Sequence, residues 1–384
     1  MAVPFRLRWP RVVRTYPRLH RALGQFRWGA VHWWAQIGRW ILPRGLDFGP
    51  SKGWFSIANE VRAGGRTGKI VIEQQASPKT SKNSLRTLAR LGQGTQIRWP
   101  IFWSYHRPAR LLGSSLLLQN EHKRSGVEAG YGPDFIKHDP GYWQFRLPKP
   151  VRLEGNWTSV VSRFSNGFPH WFFDALPRLA LLSEFPEDTR VIVPPRLESY
   201  HYDTLDWLGL AQRIRPTPEE HLEIEHFFFS SPTNITGLFD PYAVEFCRRS
   251  FRHRRDASFD SPKRFFVHRV NARRGLVNEH EVLRFFQERG WPVIDTQALT
   301  MAQQIQLFAR AEHVCALHGA ALANLLWCEP GCRVLELVPT TFLNGVYEGL
   351  SEALDLNYSF LLCKGDTDYK ARIDLDELKR RLDE

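Results

Sequence analysis

The sequence predicts an α/β protein whose C-terminal half is built on a parallel sheet of the Rossmann type. Three observations point there. From residue 263 onward, strand-like and helix-like segments alternate without a break, and such alternation implies a parallel sheet with helices on its faces. The helix-like segments carry start and stop signals: Asn278 with Glu281 three residues on, Thr300 with Gln303, and Pro330-Gly331 after a short apolar helix. A Gly319-Ala320 step lies where an apolar strand turns into an apolar helix, so a ligand can approach the backbone closely there. At 384 residues the chain is longer than one common domain. The expected division is an arm over 1–50, an N-terminal domain over 51–250 and a C-terminal domain over 251–384.

The arm carries most of the charge. Residues 1–52 hold nine Arg and one Lys against a single acid, Asp47, out of a net charge of +12 for the chain. Leu19, Leu23, Phe26, Ala30, Trp33, Ile37 and Trp40 recur at steps of four and three, which predicts one apolar helical stripe. Two readings fit this basic amphipathic helix. It lies on an anionic membrane surface, or it docks on the protein's own surface. The density of Arg favours the membrane. No basic stripe or recognition helix continues into the globular part, so nucleic acid is not expected as a partner.

The middle of the chain reads as strands and long loops. KIVIEQ (69–74) and SSLLLQN (114–120) are short apolar runs. AGGRTGK (63–69) fails as a phosphate loop, because Ala63 replaces its first glycine and Ile70 its magnesium-binding hydroxyl. NGFPHWFFDALPRLALL (166–182) predicts a helix. His170 and Asp174 then share a face, while Trp171, Phe172, Leu176 and Leu179 are buried. Such a pair can be a general base with its orienting carboxylate, or a hydrogen bond that fixes the helix. RVIVPP (190–195) predicts a buried strand, and YDTLDWLGL (202–210) a helix with Gly209 near its end.

In the C-terminal half, strands are expected at KRFFVHR (263–269), WPVID (291–295), HVCAL (313–317), RVLELVP (333–339) and near 357–362. Helices are expected at 278–290, 300–311, 320–328 and near 343–354. Ligands of parallel sheets bind at the carboxyl ends of the strands, and helix N-termini there suit phosphate. His318, Gly319, Ala320 and Asn324 fall on that rim, as do Arg269, Arg273 and Arg274. Glu336 interrupts an apolar strand, where a lone carboxylate is costly. A ribose hydroxyl pair or an arginine of a neighbouring strand would satisfy it. Each feature alone also has a purely structural reading, and their convergence on one rim favours a phosphate-bearing ligand.

The five cysteines show no CxxC spacing and no zinc-type histidine cluster, so free thiols in a reducing compartment are expected. The N-terminus has no uninterrupted apolar stretch of the secretory type, and no run approaches the roughly 18 residues of a membrane span. The sequons at Asn156 and Asn234 then read as chance matches.

HGAALANLLWCEPGCRVLELVP (318–339) resembles the signature of family 61 glycosyltransferases, once called DUF563. NGFPHWFFDALPRL, YDTLDWLGL and HRVNARRGLVNEHEV are similar to further segments of that family in the same order, and the last puts Arg269, Arg274, Asn278 and Glu279 on its pattern. The likeness covers roughly residues 155–384, with Trp327 where the family usually has Phe. It implies a GT-B-like architecture, two Rossmann-like domains facing a cleft. It also implies an inverting, metal-independent sugar transfer from a nucleotide sugar held by the C-terminal domain. Arg269, Arg274, Glu279, His318, Gly319, Ala320, Asn324 and Glu336 would then serve the donor, and His170 and Asp174 the acceptor hydroxyl. No cofactor or metal is expected; Asp366/Asp368 and Asp374/Asp376 read as a loop and a helix cap. The chain looks more like bacterial members tied to capsular or exopolysaccharide synthesis. The expected location is cytoplasmic, on the inner face of the membrane, with a glycan or lipid-linked saccharide as acceptor. A non-catalytic nucleotide- or saccharide-binding protein and a membrane-surface adaptor working through the arm are the alternatives.

Overall fold

The computed structural model describes residues 54–383 except 74, 77–84, 86–96, 99, 121–124, 127–147, 234–238, 269–274 and 367–369. The expected arm lies outside the described residues, as do Arg269, Arg273, Arg274, Asp368 and the sequon at Asn234.

The C-terminal sheet has six strands in the order Val293–Asp295, Arg264–His268, His313–Leu317, Arg333–Pro339, Asn357–Gly365 and Ala371–Arg372. All neighbours are parallel except the last pair. His313–Leu317 is buried along its whole length, as a strand covered on both faces must be. The helix Glu279–Glu288 buries Val282, Phe285 and Phe286. The helix Met301–Ala309 opens on the expected capping box, with the Gln303 amide donating to Thr300 Oγ at 3.2 Å and the Thr300 amide to Gln303 Oε1 at 3.1 Å. Asn278 departs from expectation. Its side chain makes no cap; it donates to the Ile373 carbonyl and accepts from the Ile373 amide, so it ties the helix start to the far end of the chain. Asp374, by contrast, does cap the last helix, accepting from the amides of Asp376 and Glu377. The connectivity reverses between Arg264–His268 and His313–Leu317, and that is the place where a parallel sheet offers a crevice to ligands.

The N-terminal sheet is mixed. Four of its strands, His221–Ser230, Val151–Ser159, Arg190–Val193 and Ile214–Pro216, are mutually parallel neighbours. The rest is largely antiparallel: Ile101–His106, Ala109–Leu112, Leu117–Gln119 and Gly68–Ile72 join by antiparallel pairing, chiefly through His221–Ser230. A Rossmann-type parallel core is therefore confined to residues 151–230.

The segment expected as one helix over 166–182 is three. An α-turn over Phe168–His170 is followed by a π-helix, Trp171–Ala175, and a 3-10 helix, Leu176–Glu184. Pro177 supplies the reason. It has no amide proton, and its ring would collide with the carbonyl four residues back in a continuous α-helix, so the ladder shifts to a wider turn before it.

One hydrophobic cluster joins the two sheets. It runs from Val160, Val191 and Val193 through Trp171, Phe172, Cys247 and Trp327 to Val267, Val314, Ala316 and Val334. Trp327 is 1% exposed, and its ring meets Phe172 edge-on at 5.7 Å. The helix Pro241–Phe251, capped by Asp240, packs into the same seam. Arg248 on that helix donates to the carbonyls of Leu326 and Cys328 at 2.7 and 2.8 Å, closing the end of the helix that holds Trp327. Trp327→Ala should therefore cost about 3–5 kcal/mol. Because the cluster serves both sheets, they should unfold together in one denaturant transition. Two resolved transitions, followed by tryptophan fluorescence and circular dichroism, would contradict a shared core.

Candidate active site

His318 ends the strand His313–Leu317, and its amide continues the ladder by donating to the Leu337 carbonyl at 2.9 Å. Gly319 has an extended backbone and leads into a 3-10 helix, Ala320–Trp327, rather than the α-helix expected there. Nearly every side chain of that helix is buried, which explains why it is apolar all round; Ala320 stays exposed at the rim. Asn324 is fully buried and turned inward. It donates to Gln304 Oε1 at 2.9 Å and the Ala321 carbonyl at 3.1 Å, and accepts from Trp327 Nε1 at 3.2 Å.

Glu336 is 0% exposed. Its side-chain partners in this structure are a histidine and a tyrosine rather than an arginine. One carboxylate oxygen is in short contact with His318 Nδ1, and the other accepts from the Tyr358 hydroxyl at 2.5 Å. Tyr358 sits on the adjacent parallel strand, in register with Val334. Its phenol is pushed well above the ordinary range by burial and by the negative Glu336. His318 is itself 4% exposed and lies between the rings of Phe342 and Tyr347, each 5.4 Å away. The carboxylate thus sets the orientation of the imidazole, and the tyrosine sets the carboxylate. Tyr358 is a residue the sequence did not single out.

The second acid–histidine pair is built by the π-helix. His170 Nδ1 and Asp174 Oδ2 lie 2.6 Å apart, with side chains 35% and 10% exposed. Burial pushes the Asp174 carboxyl up, while His170 and the nearby Arg178 pull it back. Arg178 is buried and donates to the Ser230 carbonyl through Nε and Nη2, at 3.0 and 2.8 Å, which pins the segment to the N-terminal sheet. Once Asp174 is ionised it can only accept, so Nδ1 carries the imidazole proton and Nε2 is the basic nitrogen. Phe164 packs on the ring of His170 at 5.0 Å and is 46% exposed, giving the open side of the pair an apolar edge. Three buried aromatics hold the support: Trp171 donates to Thr204 Oγ at 2.9 Å, Phe172 meets Trp327, and Phe173 meets Phe239 at 4.6 Å.

The two pairs border one seam, because the turn Phe168–His170 packs against the helix that follows His318. Of the other expected residues, Glu279 starts its helix and pairs with His268 at 2.9 Å, at the carboxyl end of the first strand. Among the described residues, no group of three or more His, Cys, Asp or Glu side chains is arranged to hold a metal ion. The five cysteines are buried free thiols.

Residues 168–335 match the family model described as Glycosyltransferase 61. The matched stretch contains His170, Asp174 and His318 and stops one residue before Glu336. A search of curated proteins returns no match.

Two consequences can be measured. Asp174 has a raised pKa in the folded chain, so its contribution to stability is present at acid pH and is lost as pH rises through the folded value. Asp174→Asn does not titrate; its urea midpoint should gain on that of the wild type as pH is raised from about 4 to about 8. A difference constant with pH would contradict a raised carboxyl. Tyr358→Phe leaves a buried carboxylate one donor short and should cost about 1–3 kcal/mol in the same assay.

Proposed function

We propose that the protein is a glycosyltransferase that moves a sugar from a nucleotide-sugar donor to a hydroxyl of a glycan or lipid-linked saccharide, with inversion and without a metal. The observation that carries this reading is the His170–Asp174 pair, half open to solvent and set on the same seam as the carboxyl-end rim of a parallel sheet. The family match over residues 168–335 supports it.

In this mechanism His170 Nε2 takes the proton of the acceptor hydroxyl, and Asp174 steadies the imidazolium that forms. The acceptor oxygen attacks the anomeric carbon from the face opposite the leaving group. The carbon–oxygen bond to the diphosphate breaks, and its electron pair departs with the nucleoside diphosphate. The growing charge on that diphosphate needs fixed positive groups. The proposal assigns them to Arg269 and Arg274, with the backbone amides at Gly319-Ala320. His318, held by Glu336 and Tyr358, is assigned the role of a donor to the leaving phosphate; Glu336 then acts through His318. Glu279 and Asn324 shape the rim from behind, through His268 and Gln304. The basic arm is assigned to an anionic membrane surface, which would bring the enzyme to lipid-linked acceptors of the kind used in capsular and exopolysaccharide synthesis. No helix among the described residues is long and apolar enough to cross a membrane.

The test has two stages. Thermal unfolding of the full chain against a panel of nucleoside diphosphates and their sugars should single out one base; saturation near 100 times the dissociation constant adds about 2.7 kcal/mol. Transfer measured with that donor and a lipid-linked acceptor should fall by about 10²–10⁴ in kcat for His170→Ala, with nucleotide stabilisation retained. Nucleotide binding with transfer untouched by His170→Ala would remove the base assignment. No stabilisation by any nucleotide would count against the whole reading.

A further inference from the structure

A cavity lies at the edge of the C-terminal sheet opposite the rim. The strands Arg264–His268, His313–Leu317 and Arg333–Pro339 begin there, and the cavity, of about 620 Å³, opens among Lys263, Arg264, Pro292, Glu312, His313 and Arg333. Arg264, His313 and Arg333 are register partners on three adjacent parallel strands. Side chains in register point to the same face of a sheet, so two guanidiniums flank one imidazole, at a strand spacing of about 4.8 Å.

The charges in this row are not balanced internally. Lys263 is taken by Glu312 at 2.6 Å. Arg264 and Arg333 have no carboxylate partner among the described residues; Arg264 lies over the Trp291 ring at 5.9 Å. The two arginines stand two strands apart, about 10 Å, and both are exposed. Between them His313 is 9% exposed, with Trp291 edge-on at 4.8 Å, yet its ring nitrogens make no hydrogen bond among the described residues. Burial and the positive Arg333 and Arg264 push its pKa down to about 4. At neutral pH it is therefore an uncharged imidazole with one N–H to offer.

We propose that this amino-edge cavity binds a phosphate group, received by the Arg264 and Arg333 guanidiniums and by the His313 N–H. Arginine forks suit phosphate oxygens, and an anion placed over His313 is within reach of both long side chains. The cavity is larger than phosphate alone, so the group can be free or carried on a sugar. The strands place this cavity at the opposite edge from His318, about five residues or 16 Å along His313–Leu317, so it is distinct from the proposed transfer site and does not depend on that reading.

The experiment is a titration of the full chain, with histidines isotopically labelled, against inorganic phosphate and separately against glucose 1-phosphate. Ionic strength is held constant with sodium chloride, and the His313 imidazole signals are followed by NMR. The expected result is a saturable shift of the His313 signals and a rise in its pKa, because an anion favours the imidazolium. Arg264→Ala/Arg333→Ala should weaken the binding at least about tenfold. Arg264→Gln and Arg333→Gln, each alone, serve if the double variant does not fold. Equal affinity for both probes identifies free phosphate as the ligand, and tighter glucose 1-phosphate identifies a sugar phosphate. A linear, unsaturated shift, an unmoved His313, or binding indifferent to both arginines overturns the proposal.

Discussion

Asp174 and Glu336 are acids placed where water hardly reaches them, and the organisation of the seam follows from how each is answered. An isolated buried carboxylate is among the most expensive groups a fold can hold. Here each is met by a histidine, and each pair is held by the sheet on its own side of the seam. Asp174 rests on a π-turn pinned by Arg178 to the N-terminal sheet. Glu336 rests on a central strand of the C-terminal sheet and is braced by Tyr358 from the next strand. The two answers differ in openness. His170 keeps a third of its side chain exposed, whereas His318 is sealed between aromatic rings. An open histidine backed by a carboxylate suits proton exchange with a substrate. A sealed one suits a fixed donor or a structural clamp.

Neither pair would hold its place without the packing between the sheets. Trp327 is the point where this is most direct: its indole donates to Asn324 in the helix behind His318, and its ring receives Phe172 from the π-helix of Asp174. Arg248 closes the same helix from a third element. A shift of the seam would therefore move both histidines together. The dense aromatic filling, with few rotatable bonds, opposes such a shift.

The parts of this arrangement written in local chemistry were legible in the sequence. The Thr300–Gln303 capping box, the turn at Gly209, the alternation from residue 263 and the facing of His170 and Asp174 each depend on residues within a few positions of one another. What was not legible depends on distant partners. Nothing near Glu336 announces Tyr358, because the two meet only through parallel pairing of strands whose register is set by the whole sheet. Asn324 looks like a rim donor until its helix proves to be of the tighter 3-10 kind and turns it toward Gln304. The antiparallel extension of the N-terminal sheet escaped for the same reason: Phe227 pairs with His106 more than a hundred residues earlier, and short strands of this length carry little periodicity. Pro177 was a local signal for the break in the 166–182 helix, and it outranked the apolar spacing that suggested continuity.

A parallel sheet has two inequivalent edges, and the C-terminal sheet puts different chemistry on each. At the carboxyl edge the side chains are paired and mostly neutralised: His268 with Glu279, His318 with Glu336. In the proposed mechanism, positive charge for an anionic ligand comes there from the backbone amides at Gly319-Ala320 and from Arg269 and Arg274. At the amino edge the cations lie on the strands themselves, and Arg264 and Arg333 have no carboxylate opposite them among the described residues. Ladder hydrogen bonds fix the backbone of both arginines about two strand spacings apart, while their exposed side chains extend from the same face. Cations carried on strands are suited to holding an anion at rest, and backbone amides at a strand–helix turn to receiving one that forms and departs during a reaction.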